Sequence, residues 1–289
     1  IRRNLKNGSE TVIDASGLVV CPGFIDVHSH SDLTLLINPK AESKVRQGVT
    51  TELNGNCGDS PAPIKPEALE TIKKNFWGWG QPVDKVRWNW RSFREFLDLL
   101  EKQGIALNAA FLVGHRTVRA NVMKDEWRQP TSDELDEMKI LVEQAMKEGV
   151  FGLSSGLYYP PGCFVETKEL IELCEVVAKY GGIYETHVRG ESSMLLDSVK
   201  EAIEIGEKTG VPVQIAHLKA YGSRYWLLIR EVLRVIEEAR DRGVDVTVNR
   251  YGYLFGQTGL EAMLPHWAHE GGKDKLKERL KDPKAREKM

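Results

Sequence analysis

Short apolar segments alternate along this chain with amphipathic segments that end at glycine, and this alternation limits the fold more than any other feature. The apolar segments have the composition of strands, and the segments between them have helical periodicity. Repeated strand–helix units of this kind predict a parallel sheet covered by helices. Strands are predicted at 23–27, 49–53, 106–113, 149–154, 182–187, 211–217 and 244–249, and helices at 92–103, 132–148, 167–180, 192–209 and 226–242.

Seven parallel units are one fewer than a closed (β/α)8 barrel contains, and an open barrel leaves two strand edges unpaired. We therefore predict an α/β fold of the TIM-barrel type that lacks its eighth unit. Residues 1–22, with short β-like pieces at 12–14 and 18–20, are predicted to be part of a small β-sandwich domain. Residues 23–258 are predicted to form the barrel, and the charged residues 259–289 are predicted to begin a helical insertion after strand seven.

Charge and composition exclude several classes of partner. The 40 basic and 42 acidic residues leave a net charge of −2, which provides no broad field for nucleic acid or an anionic membrane. No apolar stretch approaches the roughly 20 residues needed to span a bilayer. The four cysteines are widely spaced without a CxxC pair, which does not favour a disulfide framework. We therefore expect a cytoplasmic protein that acts on a small molecule.

One apolar segment runs directly into two histidines, in the sequence PGFIDVHSHSD at 22–32. Side chains alternate along a strand, so His28 and His30 project to one side. They follow the C-terminal end of a predicted barrel strand, where catalytic groups gather. Because imidazole nitrogen is a ligand of zinc and similar metals, the pair is a candidate half-site for a metal. The alternative is that two ordinary polar residues close a strand.

Three further metal-binding side chains occupy equivalent places in other units. His187 in YETHVRG and His217 in QIAHLKA each end a predicted strand, and Cys57 follows the second strand in ELNGNCG. The strand ends of a parallel barrel face one mouth, so four histidines from three strands can converge there. A thiolate is a good zinc ligand, although a buried structural cysteine is the alternative for Cys57. The pattern as a whole predicts a metal site.

Taken in order, these motifs resemble those of the D-aminoacylase, or N-acyl-D-amino-acid deacylase, family of the amidohydrolase superfamily. PGFIDVHSHSD is similar to the superfamily signature, and ELNGNCG, FLVGH, GLSSGLYYPPG, YETHVRGE and QIAHLKAYG follow in the family's order over almost the whole chain. The resemblance implies a metal-dependent hydrolase barrel with zinc at its mouth. It also implies that Cys57, His187 and His217 hold one tightly bound zinc, while His28 and His30 contribute to a second, weaker site.

The same resemblance implies zinc-dependent hydrolysis of the linear amide bond of N-acyl-D-amino acids by metal-activated water. Lys219 and Tyr251 match positions that grip the substrate carboxylate; the alternatives are a surface lysine and a packing tyrosine. Tyr158 and Arg189 lie just past strand ends and are candidates either to line the pocket or to serve the structure. The D stereochemistry rests on the resemblance alone.

Two features keep other functions open. The family's general base is an aspartate at the end of the eighth strand, and neither that strand nor that aspartate can be placed in this sequence, which leaves a catalytically incomplete fragment as one alternative. The second alternative is another amidohydrolase, such as a cyclic-amide hydrolase or a dipeptidase acting on unusual linkages. Those enzymes more often carry a metal-bridging lysine on the fourth strand, where this chain has Gly152-Leu153-Ser154-Ser155.

Overall fold

The computed structural model describes residues 13–78, 80–124 and 126–289. Its strands are β1 (Phe24–Asp26), β2 (Val49–Asn54), β3 (Asn108–Phe111), β4 (Val113–Gly114), β5 (Gly152–Gly156), β6 (Ile183–His187), β7 (Val213–Ile215) and β8 (Val246–Val248). Its α-helices are α1 (Thr34–Ile37), α2 (Glu42–Val45), α3 (Leu69–Gly78), α4 (Phe93–Gln103), α5 (His115–Met123), α6 (Ser132–Lys147), α7 (Thr167–Lys179), α8 (Leu195–Thr209), α9 (Leu228–Asp241), α10 (His266–His269), α11 (Gly272–Lys281) and α12 (Pro283–Lys288).

Every strand pair is parallel, in two sheets with the orders β1-β2-β3 and β4-β5-β6-β7-β8. The predicted strand at 106–113 is divided between the sheets, so the prediction of one strand there is wrong. At the division, the Leu112 N–H donates to the carbonyl oxygen of Asn54 at 2.9 Å, which keeps this segment beside β2. The predicted α/β architecture with parallel strands is confirmed.

Within the described residues, β1 and β8 form the outer edges of the two sheets. Apolar side chains on these strands are exposed: Phe24 by 57%, Ile25 by 66% and Val248 by 40%. The predicted β-like piece at 18–20 is not a strand, because no described strand lies beside it to accept its hydrogen bonds. Residues 1–12, which include the start of the piece at 12–14, lie outside the described residues.

The predicted helices form with the caps that their sequences contain. Thr131 and Ser92 each accept a hydrogen bond from the backbone N–H three residues later, at the starts of α6 and α4, and a glutamate at that position bonds back to the cap. Helices α6, α7 and α8 pack side by side and bury apolar side chains against the sheet. Helix α5 was not predicted, because buried polar residues such as Thr117 and Asn121 interrupt its apolar face. None of the described helices is long and apolar enough to cross a bilayer.

Candidate metal centre

All five predicted metal ligands converge at the C-terminal ends of the strands. One ligand atom from each of Cys57, His187 and His217 lies within 4.8 Å of the others, and the same holds for His28, His30 and Cys57. Cys57 belongs to both groups and therefore lies between them. The Cys57 and His187 side chains are buried, while the other three histidines are half-buried.

The distances from Cys57 match those of ligands that share a tetrahedral zinc ion. Its Sγ lies 3.6 Å from Nε2 of His28 and 3.7 Å from Nδ1 of His187. Zinc lies about 2.3 Å from a thiolate and about 2.0–2.1 Å from an imidazole nitrogen, so two such ligands at the tetrahedral angle are about 3.6 Å apart. The residues therefore fit a zinc ion in both the chemistry and the spacing of their donor atoms.

A tight turn brings Cys57 to this position. Gly55 has a left-handed φ of +75°, and a Cβ at Gly55 would lie 2.1 Å from the carbonyl oxygen of Leu112. The Gly55 N–H donates to Asp32 Oδ1 at 2.7 Å, which ties the turn to the segment that carries His28 and His30. Only glycine fits this approach without a shift of the backbone.

Two of the ligands have a backbone conformation that L-residues rarely adopt. The φ angle is +53° at Cys57 and +36° at His217. At His217 the turn is held by Asn249, whose Oδ1 accepts from the His217 N–H and whose carbonyl oxygen accepts from the Leu218 N–H at 3.0 Å. Such conformations cost about 1–3 kcal/mol each and persist where the surroundings impose them, which is common at functional sites.

Burial controls the protonation of the ligands. It raises the pKa of the Cys57 thiol, and the nearby carboxylates of Glu185 and Asp59 raise it further. Burial also lowers the pKa of His187, and burial beside the imidazoles of His28 and His217 lowers the pKa of His30 to about 3. These histidines are therefore neutral near pH 7, as metal binding requires, and the thiol has to release a proton when a metal binds.

Two buried glutamates beside the histidines were not predicted from the sequence. Glu185 is fully buried, and its Oε1 lies 2.7 Å from Nδ1 of His28. Glu191 is 7% exposed and accepts a hydrogen bond from Nζ of Lys219. Strand alternation offered a signal for Glu185, because it precedes His187 by two residues and therefore points to the same side of β6. Nothing in the spacing marked Glu191, which lies in the loop after β6.

Lys219 and Tyr251 lie next to His217 at the mouth of the strands. Nζ of Lys219 is 3.0 Å from Nδ1 of His217 and 5.7 Å from the ring centroid of Tyr251. The ring centroids of Tyr251 and His217 are 6.5 Å apart. A cation and a phenol therefore stand together on one side of the ligand cluster.

Comparison with known proteins identifies the family. The sequence model described as the Amidohydrolase family matches residues 11–279. The chain belongs to the Amidohydrolase family. Among curated members, it is 39% identical to the D-aminoacylase of Alcaligenes xylosoxydans xylosoxydans over 257 residues, which cover 88% of this chain and 51% of that enzyme. This match confirms the resemblance predicted from the motifs.

Two solved amidohydrolase structures are similar to this one in fold and sequence. A D-aminoacylase, studied for the role of its binuclear metal center, superposes with a TM-score of 0.71 at 36% identity. The N-acyl-D-glutamate deacylase of Bordetella bronchiseptica, in complex with zinc and a phosphonate inhibitor, superposes with a TM-score of 0.71 at 32% identity. Each match covers 80% of this chain and 48% of the other, so the chain spans about half the length of these relatives.

The remaining two predicted substrate residues of this amidohydrolase differ in their surroundings. The ring of Tyr158 lies 5.4 Å from that of His187, and the unpredicted Tyr159 lies closer, at 4.9 Å. Arg189, in contrast, is paired with Glu201 at 2.7 Å and donates to the carbonyl oxygens of Cys163 and Val165. These contacts favour a structural role for Arg189, whose part in substrate binding stays a prediction.

Proposed function

We propose that this chain supplies the metal centre of a zinc-dependent hydrolase that cleaves the linear amide bond of N-acyl-D-amino acids by metal-activated water. The observation that carries the proposal is the convergence of Cys57, His187 and His217 within 4.8 Å, with Sγ of Cys57 at the zinc-compatible distance of 3.7 Å from Nδ1 of His187. The names of the relatives support the substrate class, since they include a D-aminoacylase and an N-acyl-D-aspartate deacylase, the latter 37% identical over 233 residues.

In this proposal Cys57, His187 and His217 hold one zinc tightly, and His28 and His30 contribute to a second, weaker site. Burial supports this order, because two of the three ligands of the first site, Cys57 and His187, are buried, whereas His28 and His30 are both half-buried. When bound, zinc supplies a Lewis acid that polarises the amide carbonyl and lowers the pKa of water.

The substrate carboxylate is proposed to bind beside the metal centre. The ammonium group of Lys219 pairs with this carboxylate, and the phenol of Tyr251 donates a hydrogen bond to it. Tyr158, whose ring lies beside that of His187, contacts the substrate from the other side of the cluster. With its carboxylate fixed in this way, the substrate presents its amide to the metal, and fixed placement is a large part of the rate gain in such reactions.

One structural observation argues against a cyclic-amide hydrolase. A Cβ at Gly156, the last residue of β5, would lie 2.3 Å from the carbonyl oxygen of Cys57. The turn that carries Cys57 therefore lies against the end of β5, and its Gly58 N–H donates to Oγ of Ser154 at 3.1 Å, one of the four positions at which the sequence lacks a lysine. The proposal of a cysteine-containing centre is favoured for this reason.

The experiment combines metal content with turnover. The purified chain is loaded with zinc, dialysed and tested for amine release from N-acetyl-D-methionine and N-acetyl-L-methionine, and for ring opening of dihydrouracil followed by its loss of ultraviolet absorbance. Zinc binding with hydrolysis of the D substrate alone supports the proposal. Zinc binding without hydrolysis of any substrate supports the catalytically incomplete alternative, and a chain that binds no zinc contradicts the proposed metal centre.

A further inference from the structure

Glu191 has one carboxylate oxygen in contact with three functional groups. Oε1 of Glu191 accepts a hydrogen bond from Nζ of Lys219 and lies 3.3 Å from both Nε2 of His187 and Nδ1 of His217. The side chain is 9% exposed, so water does not compete strongly for that oxygen.

His187 presents Nε2 to Glu191, and His217 presents Nδ1. His187 directs Nδ1 to Sγ of Cys57, at 3.7 Å, so Nε2 is its second nitrogen, and Nε2 makes no hydrogen bond although Glu191 lies 3.3 Å away. For His217, Nδ1 lies 3.3 Å from Oε1 of Glu191 and 3.0 Å from Nζ of Lys219. A neutral imidazole carries one N–H, and a carboxylate favours that N–H on its own side. Glu191 therefore favours the tautomer of His187 that leaves the Nδ1 lone pair to a metal. It favours the matching tautomer of His217 when the Lys219 ammonium donates to Glu191 and not to Nδ1.

We propose that Glu191 is a shared positioning residue, which fixes the tautomer and orientation of both histidines and holds Lys219 beside them. This inference rests on the proposed metal centre. A simple ion pair with Lys219 would not require the same oxygen to lie equally close to two imidazole nitrogens. Glu185 offers a comparison, since its Oε1 serves a single histidine, His28, at 2.7 Å.

The shared oxygen also couples the substrate to the metal. When a substrate carboxylate pairs with Lys219, the lysine donates less strongly to Glu191, and the negative charge of Glu191 acts more strongly on His187 and His217. These rings then become better ligands, because a carboxylate partner raises the basicity of an imidazole. Substrate analogues that carry a carboxylate are therefore expected to tighten metal binding, and by linkage the metal tightens their binding equally.

The test is the variant Glu191→Gln, which keeps the shape of the side chain and removes its charge. Zinc affinity is measured by competition with a chromophoric chelator, and the absorption spectrum of the cobalt-loaded chain reports the ligand geometry. We expect zinc affinity to fall about 10- to 100-fold and the cobalt spectrum to change. The matched control is Glu169→Gln: Glu169 is 3% exposed and paired with His115 and Arg119, away from the cluster, so zinc affinity stays at the wild-type value.

A second variant covers the case in which Glu191→Gln does not fold. In Lys219→Met, Glu191 loses its contact with the lysine and keeps its contacts with the two histidines, so zinc is expected to bind at least as tightly as to the wild type. Weakened zinc binding by Lys219→Met, or wild-type affinity in folded Glu191→Gln, would overturn the inference and leave the proposed function intact. A wild-type chain without zinc would overturn both.

Discussion

Replacing Gly55 by alanine places a methyl group against the carbonyl oxygen of Leu112. The added Cβ would lie 2.1 Å from that oxygen, so the two segments have to separate by about 0.9 Å to reach the shortest contacts that real Cβ atoms make. Gly55 is two residues before Cys57. The separation therefore moves the turn that carries the thiol, and Sγ leaves the distance of 3.6–3.7 Å at which it meets the two histidines.

Two terms set the expected loss of stability. A left-handed φ costs an alanine about 1–2 kcal/mol, and the overlap adds about 1–3 kcal/mol, as overpacking does in protein cores. The free energy of unfolding is therefore expected to fall by about 2–5 kcal/mol. Zinc affinity should fall by at least about tenfold, because a ligand displaced by a large fraction of an ångström no longer matches the short metal bonds.

The assay is urea unfolding followed by circular dichroism, together with zinc content after dialysis. Gly210→Ala is the matched control, since Gly210 has a similar φ of +71° and no atom lies within 4 Å of the position of its Cβ. The free energy of unfolding of the control should fall only by the cost of the left-handed φ, and its zinc content should stay at the wild-type value. Equal losses in the two variants, with zinc retained in both, would refute the account of the turn.

Three further predictions concern the charged groups. Burial would raise the pKa of Glu169, but the hydrogen bond with His115 and the charge of Arg119 lower it below its value in the unfolded chain. Ionised Glu169 therefore stabilises the fold at a pH above its unfolded-state pKa, and this stabilisation is lost as the pH falls through its folded-state pKa. Unfolding measured below pH 5 should therefore depend less on pH in Glu169→Gln than in the wild type. Lys219→Met should raise KM for N-acyl-D-amino acids about 10- to 100-fold in steady-state assays, and an unchanged KM would remove Lys219 from carboxylate binding. Arg189→Met should lower the free energy of unfolding by about 2 kcal/mol without a change in KM, and a raised KM would restore Arg189 to the pocket.

The alternation of strands and helices could be read from the sequence because apolar segments and helix-ending glycines are local signals. Six of the seven predicted strands form as single strands that begin or end within a few residues of the prediction. The remaining segment, at 106–113, is divided where its pairing passes from β2, through the Leu112 N–H and Asn54, to β5, and such pairing between distant segments cannot be read from a continuous apolar run.

The convergence of the ligands was predictable for a similar reason. Parallel strands bring their C-terminal ends together, so the positions of His28, Cys57, His187 and His217 after their strands were sufficient. Glu191 was not predictable, because its role depends on how the loop after β6 folds back towards Lys219, and a glutamate in a polar loop is ordinarily exposed.

The most direct test of the metal centre is elemental analysis of the purified chain beside the variants Cys57→Ala and Cys174→Ala. Both cysteines are buried, but in the described structure only Cys57 belongs to a cluster of ligands. We expect about one tightly bound zinc per chain in the wild type and in Cys174→Ala, and none in Cys57→Ala. A wild-type chain without metal, or zinc retained after the loss of Cys57, would contradict the proposed centre.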